Sequence, residues 1–306
     1  MALLLILPDR DSTPLLNAIA AIDPEIDMRD WPDVGEPRDV DFAVTWNHPA
    51  GELKKYPNLK GICSYGAGVD HLLRDPDLPQ VPVARIMDDD LLEEIREYLL
   101  AVVLAHRRHL KSCWQLQQQR KWHRLPVAPS KNVGVMGLGR LGSGVALTFA
   151  ALGFNVYGWS RSPKKIKGVT CFSGNNNLPE FLQLCNYLLV LLPLTEQTEN
   201  LFNADFFQMV KKGAFFVNVG RGQLLDENAL LQALDAGLLS AACLDVFRQE
   251  PLPASHPFWS HSKISITPHM ASITNPSSAA RHLVHNYRRL LSGRSLTDIV
   301  DPARGY

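Results

Sequence analysis

The chain is 306 residues long, and 31 Lys+Arg balance 31 Asp+Glu, so a formal net charge of zero removes the strongest generic argument for a nucleic-acid or polybasic membrane partner. With 46% hydrophobic and 20% charged residues, it has the composition of an ordered globular protein, long enough for about two domains and not for a disordered chain. Five scattered cysteines (Cys63, Cys113, Cys171, Cys185 and Cys243) form no C-x-x-C pair, which speaks against a disulfide framework or a zinc site and for reduced thiols in a cytoplasmic protein. No metal site is expected.

The apolar start, residues 2–7, lacks a basic leader and stops at Pro8-Asp9-Arg10, so it predicts a buried strand and not a signal peptide. Thr13-Pro14 opens a helix carrying Leu15, Leu16, Ile19 and Ile22, and residues 42–46, 59–64 and 81–86 read as further strands. Such alternation implies a parallel sheet flanked by helices. Asp88-Asp89-Asp90 then suits the positive end of a long helix running from 91 to about 119, well before Pro126 and Pro129. A second alternating unit follows, with strands at 132–136, 155–159, 187–192, 214–219, 241–247 and 264–267. Its helices are expected at 142–152 and between an Asp226 cap and a Gly237 stop, and a last helix spans 276–291. No apolar run reaches the roughly 20 residues needed to cross a bilayer, so no membrane partner is expected.

Gly137-Leu138-Gly139-Arg140-Leu141-Gly142 is a G-x-G-x-x-G directly between a strand and a helix. In that context the first glycine permits a tight turn, the second lets backbone approach a pyrophosphate, and the third brings helix and strand together. Arg140 and Leu141 would present helix amides to the phosphates; the alternative is a glycine turn that serves packing only. The next strand should end in a carboxylate if the cofactor is NAD. Ser160 stands there instead, followed by Arg161, Ser162 and Lys164, a hydroxyl-and-cation set suited to a 2′-phosphate. NADP(H) is therefore the expected cofactor, with NAD(H) used less efficiently.

Three more segments carry ionisable groups where strands end: Asn218-Val219-Gly220-Arg221-Gly222, the stretch from Asp245 through Glu250 to Pro253, and Thr267-Pro268-His269. Strand carboxyl ends line the ligand crevice of an open parallel sheet, so all three can converge. His269 suits a general acid, Glu250 a partner that fixes and charges the imidazole, and Arg221 a planar fork for a carboxylate and carbonyl. Taken singly, each could be an ordinary loop side chain. Trp46 ends a first-domain strand and could close over a small substrate or fill the core.

With Ser64-Tyr65-Gly66-Ala67-Gly68-Val69-Asp70, the glycine loop, and the Arg221, Glu250, His269 order, the chain resembles the D-isomer-specific 2-hydroxyacid dehydrogenases along essentially its whole length. Trp46-Asn47-His48-Pro49, Trp159-Ser160-Arg161 and the terminal Arg304-Gly305-Tyr306 make it most similar to the branch that reduces glyoxylate and hydroxypyruvate. The resemblance implies an α/β fold of two doubly wound parallel-sheet, Rossmann-like domains with an interdomain cleft. A discontinuous substrate domain would hold residues 1–98 and 273–306, and a dinucleotide-binding domain residues 99–272. It also implies substrate-carboxylate binding by the backbone of Ala67 and Gly68, a nicotinamide contact from Asp245, further cofactor contacts from Pro193 and Val219, and a homodimer with Trp114 and Trp122 on its surface. The implied reaction is NADPH-dependent reduction of glyoxylate to glycolate and hydroxypyruvate to D-glycerate. A bulkier 2-oxo acid, or a dinucleotide-sensing corepressor-like role, are the alternatives.

Overall fold

Every residue of Ala2–Ile6 is buried, which only a strand covered on both faces permits. The computed structural model describes residues 1–306. In chain order its strands are β1 Ala2–Ile6, β2 Asp27–Asp30, β3 Val40–Thr45, β4 Gly61–Ser64, β5 Val83–Arg85, β6 Asn132–Met136, β7 Asn155–Ser160, β8 Val169–Ser173, β9 Tyr187–Val190, β10 Ala214–Asn218, β11 Leu239–Leu244 and β12 Ile264–Ile266. The helices are α1 Thr13–Ile22, α2 Asp70–Leu73, α3 Asp89–Arg107, α4 Leu110–Gln118, α5 Arg140–Ala151, α6 Leu178–Leu184, α7 Ala204–Met209, α8 Glu227–Asp235 and α9 Pro276–Leu291. None is long and apolar enough to cross a membrane.

The chain forms two compact units, Met1–Leu91 with Thr274–Tyr306, and Leu92–Ile273. These borders fall earlier in α3 than the expected 98/99 division and one residue beyond 272/273.

The first unit holds a five-stranded parallel sheet of order β2-β1-β3-β4-β5. Its strand order reverses between β1 and β3, so the loops after Ile6 and Thr45 flank the place where such sheets bind ligands. β2, of sequence Asp-Met-Arg-Asp, is a polar edge strand that carries no apolar pattern, and sequence reading passed it over. Helix α9 packs along α1, and its apolar face buries Leu283, Val284 and Tyr287.

The second unit is a seven-stranded parallel sheet of order β12-β11-β10-β9-β6-β7-β8. β6, β9 and β10 are almost wholly buried, and edge-to-face contacts among Phe202, Phe206, Phe207 and Phe216 fill one side of the sheet. Each such side chain stabilises the fold by about 1.5–3 kcal/mol on burial, so the strand ends that carry the polar loops are set on a stiff base. The switch point lies between β6 and β9, directly under the glycine loop and the Leu191–Leu194 segment.

The long helix expected from 91 to about 119 is two helices. α3 stops at Arg107 and α4 starts at Leu110, because His109 takes a left-handed φ of 55° that no α-helix tolerates. His106 anchors the end of α3 by stacking on Phe215 with ring centroids 3.9 Å apart. Burial, aided by the charge of His109, pushes the His106 imidazole down to about 4, so it is a neutral core group. At the other end of α3, where the acidic triplet sits at the positive end of the helix, the Leu91 N–H donates to Asp88 Oδ1 at 2.9 Å and so finds a side-chain acceptor.

Candidate active site

Gly137 begins the loop after β6 with a φ of 102°, and a Cβ there would lie 2.6 Å from the Leu191 carbonyl oxygen. At Gly142 a Cβ would overlap the Gly137 carbonyl, so only glycine lets α5 start this close to β6. Gly139 differs: nothing lies within 4 Å of its missing side chain, so the space above the turn is open. It is also the N-cap of α5 and supplies no side-chain acceptor to the first-turn amides. Open space, exposed amides and the positive helix end together fit a pyrophosphate.

β7 ends at Ser160, whose buried hydroxyl donates to the Ser162 carbonyl at 2.9 Å. That bond folds the 160–163 turn back on itself and leaves Arg161, Ser162 and Lys164 exposed around it. No carboxylate stands at the strand end, so the turn fits a phosphate on the adenosine ribose. Pro193 and Val219 are half-buried, just beyond β9 and β10.

Arg221 follows β10 on a loop fixed by Asn218, whose side chain accepts from the Gly220 N–H at 3.0 Å and donates to the Arg221 carbonyl at 2.9 Å. A Cβ on Gly222 would overlap the Phe247 carbonyl, so this loop lies directly against the segment leading to Glu250. Glu250 Oε1 accepts from the Phe247 N–H at 2.9 Å, and its Oε2 lies 2.6 Å from His269 Nδ1. Burial of the Glu250 carboxyl opposes its ionisation. The His269 hydrogen bond, the Phe247 N–H and the positive charges of His269 and Arg221 outweigh that, and the group sits below the ordinary carboxylate range. A guanidinium, a carboxylate and an imidazole drawn from three distant segments thus share one electrostatic neighbourhood.

His269 has a φ of 50°, in the left-handed region that residues with a side chain seldom adopt, and hydrogen bonds hold the turn there. Asp245 holds it. Its carbonyl accepts from the His269 N–H at 2.8 Å, Oδ1 accepts from the Thr267 hydroxyl at 2.5 Å and the Met270 N–H at 2.9 Å, and Oδ2 accepts from the Ala271 N–H at 2.9 Å. Three of about four lone-pair positions are filled, so the buried carboxylate has one left, on Oδ2, for an external donor.

In the other unit, Trp46 follows β3 and is half-buried, not a core residue. Its ring packs 4.6 Å from that of His71, and the Arg10 guanidinium lies 4.7 Å over its face. Ser64 Oγ donates to the Gly68 carbonyl at 2.6 Å and lies 3.0 Å from His71 Nε2, so one hydroxyl shapes the Ala67-Gly68 turn and ties it to the ring behind Trp46.

The sequence model for the NAD binding domain of D-isomer specific 2-hydroxyacid dehydrogenases matches residues 100–271. The chain belongs to this dehydrogenase family. It is 41% identical over 294 residues to glyoxylate/hydroxypyruvate reductase A of Yersinia enterocolitica, covering 92% of this chain and 93% of that one. The protein of the same name from Escherichia fergusonii is 36% identical, with 98% of each chain covered. Among solved structures, a D-isomer specific 2-hydroxyacid dehydrogenase from Xanthobacter autotrophicus Py2 in complex with NADPH and MES superposes with a TM-score of 0.95 at 40% identity, covering 100% and 99% of the two chains. The NADPH-dependent glyoxylate/hydroxypyruvate reductase of Sinorhizobium meliloti, in complex with NADP and sulfate, gives 0.93 at 34% identity over 100% and 99%.

Sequence reading did not single out Arg10, Ser64 and His71 around Trp46 of this dehydrogenase, nor Thr267 beside Asp245. For Arg10, Ser64 and Thr267 the signal is position, since each lies on or shortly after a strand at the carboxyl edge of its sheet, where a polar residue has no role in covering the core; His71, on α2, carries no such signal.

Proposed function

We propose that the chain reduces small 2-oxo acids with NADPH, converting glyoxylate to glycolate and hydroxypyruvate to D-glycerate. The observation that carries this reading is the 2.6 Å pairing of His269 Nδ1 with Glu250 beside the charge of Arg221. Strand-end loops that gather these three groups fit carbonyl reduction with proton transfer.

Gly137, Gly139, Arg140, Leu141 and Gly142 would hold the pyrophosphate, and Ser160, Arg161, Ser162 and Lys164 the 2′-phosphate. Asp245 would accept from the nicotinamide carboxamide through its remaining lone pair, with Pro193 and Val219 against the ring. The bound reduced nicotinamide supplies a hydride to the carbonyl carbon. Arg221 orients the substrate by its carboxylate and carbonyl oxygens and offsets the negative charge that grows on the latter. His269, doubly protonated, gives the Nε2 proton to that oxygen. The neutral ring keeps its Nδ1–H bond to Glu250, which holds the tautomer ready for reprotonation from solvent. The amides of Ala67 and Gly68 would receive the substrate carboxylate, and Trp46 would close over it. Trp122, 98% exposed, and Trp114, 58% exposed, are large apolar surfaces that a homodimer would cover.

The test follows the nicotinamide absorbance band with purified protein, NADPH or NADH, and a panel of 2-oxo acids. Rapid oxidation with NADPH and glyoxylate or hydroxypyruvate is expected. Tight NADPH binding with no turnover of any 2-oxo acid would replace the enzyme with a cofactor-sensing binding protein.

A further inference from the structure

The Asp245 latch has a support that the reaction itself does not use. Tyr98, on α3, places its hydroxyl 2.6 Å from Thr267 Oγ1, which in turn donates to Asp245 Oδ1. An ionised carboxylate can only accept, so the Thr267 proton points at Asp245 and its oxygen is left to accept from Tyr98. Behind Tyr98, the Cys243 Sγ lies 3.5 Å from the phenolic oxygen. Burial raises both groups, the thiol to about 11 and the phenol further, so each keeps its proton at neutral pH and remains a donor. All the protons therefore point one way: Cys243 S–H to Tyr98, Tyr98 O–H to Thr267, Thr267 O–H to Asp245.

We propose that Tyr98 is a positioning residue for His269, acting through Thr267 and Asp245 to hold the turn that carries the imidazole. This rests on His269 being the proton donor proposed above. The geometry gives the chain a mechanical purpose. Asp245 binds the amides of His269, Met270 and Ala271 through its carbonyl and both carboxylate oxygens, and the Thr267 hydroxyl adds a third side-chain bond that tightens the orientation of the carboxylate. The left-handed backbone at His269 lies inside the turn that those bonds close. Tyr98 reaches from a helix whose face packs in the core, so it fixes the turn to the stiffest part of the unit.

The experiment combines Tyr98→Phe, Thr267→Val, the double variant and Thr267→Ser, each assayed for kcat and KM and each followed by hydrogen exchange at the Met270 and Ala271 amides. Tyr98→Phe keeps the ring, so packing is preserved. The expected result is a fall in kcat of about tenfold with KM changed less than twofold, and faster exchange at the two amides. Thr267→Val should do at least as much, the double variant no more than Thr267→Val alone, and Thr267→Ser should stay close to wild type. A Tyr98→Phe enzyme with kcat within twofold of wild type and unchanged exchange overturns the proposal, as do losses that multiply independently in the double variant. Faster exchange in a protein whose His269→Ala variant retains full activity would uphold the chain and overturn the acid assignment instead.

Discussion

The two sheets of this dehydrogenase are built alike but carry different groups at their strand ends. Both are wholly parallel, both reverse strand order once, and both carry their candidate groups at strand carboxyl ends. In the seven-stranded unit those groups are ionisable: Arg221, Glu250 and His269, backed by the buried carboxylate of Asp245. In the five-stranded unit they are rings and main chain: Trp46 between Arg10 and His71, and a turn at Ala67-Gly68 shaped by Ser64. Proton transfer needs charge held to a few tenths of an ångström, and the seven-stranded unit would supply it through a dense hydrogen-bond network. Recognition of a small carboxylate needs only correctly aimed amides and a wall, which the turn and the packed indole would provide under the proposed function. Under the proposed function, one architecture would serve chemistry on one sheet and recognition on the other.

Substitutions in each unit should separate these two uses. The largest effect is expected at His269→Ala and Arg221→Ala, where kcat/KM for glyoxylate should fall by about 10³-fold or more while NADPH binding persists; near-normal turnover in both would remove the chemistry from this unit. Gly142→Ala forces a methyl group into the Gly137 carbonyl, so unfolding by heat should show a loss of about 1–3 kcal/mol and NADPH affinity should drop with it. Ser160→Asp with Arg161→Ala should shift the NADPH-to-NADH ratio of kcat/KM by about 10–100-fold, with the fold and the NADH rate intact. Trp46→Ala, in the recognition unit, should raise KM for 2-oxo acids by about 3–10-fold without moving NADPH affinity; an equal loss of kcat would give this unit a part in the chemistry.

The smallest effect is a pH dependence. Glu250 titrates in the folded protein below its ordinary value of 4.5, so its ionised form adds stability that is complete above that value and is lost as the pH falls through the depressed one. The melting-temperature gap between wild type and Glu250→Gln should accordingly close as acidification goes below the ordinary value of the group. The gap itself should be slight, because the carboxylate is 36% exposed and screened by solvent. A gap that widened in acid would reverse the assigned direction.

Much of the fold could be read directly. β1, β3, β9 and β10 were legible because parallel strands covered on both faces must be apolar at every position, and α9 because Pro276 and Gly293 bound a strong apolar stripe. β2 and β8 were not, since an edge strand is free to be polar, and the break at His109 was hidden because nothing local forbids a helix there. The site shows the same division. Gly137, Gly139, Gly142, Arg221, Glu250 and His269 stand out because strand ends that carry glycine or charge do nothing for a core. Tyr98, Thr267 and Arg10 do not stand out, because each acts through a neighbour remote in the chain.

The amino-acid sequence by itself determined the alternating parallel-sheet class, the glycine turn and the order of the three ionisable groups, since these depend on periodicity and on residue chemistry at short range. Only the tertiary structure decided that Glu250 meets His269, that Asp245 spends its lone pairs on the turn that carries the imidazole, and that Tyr98 stands behind it. Hydrogen bonds between segments more than 20 residues apart exist only once the sheet has set the register of every strand end.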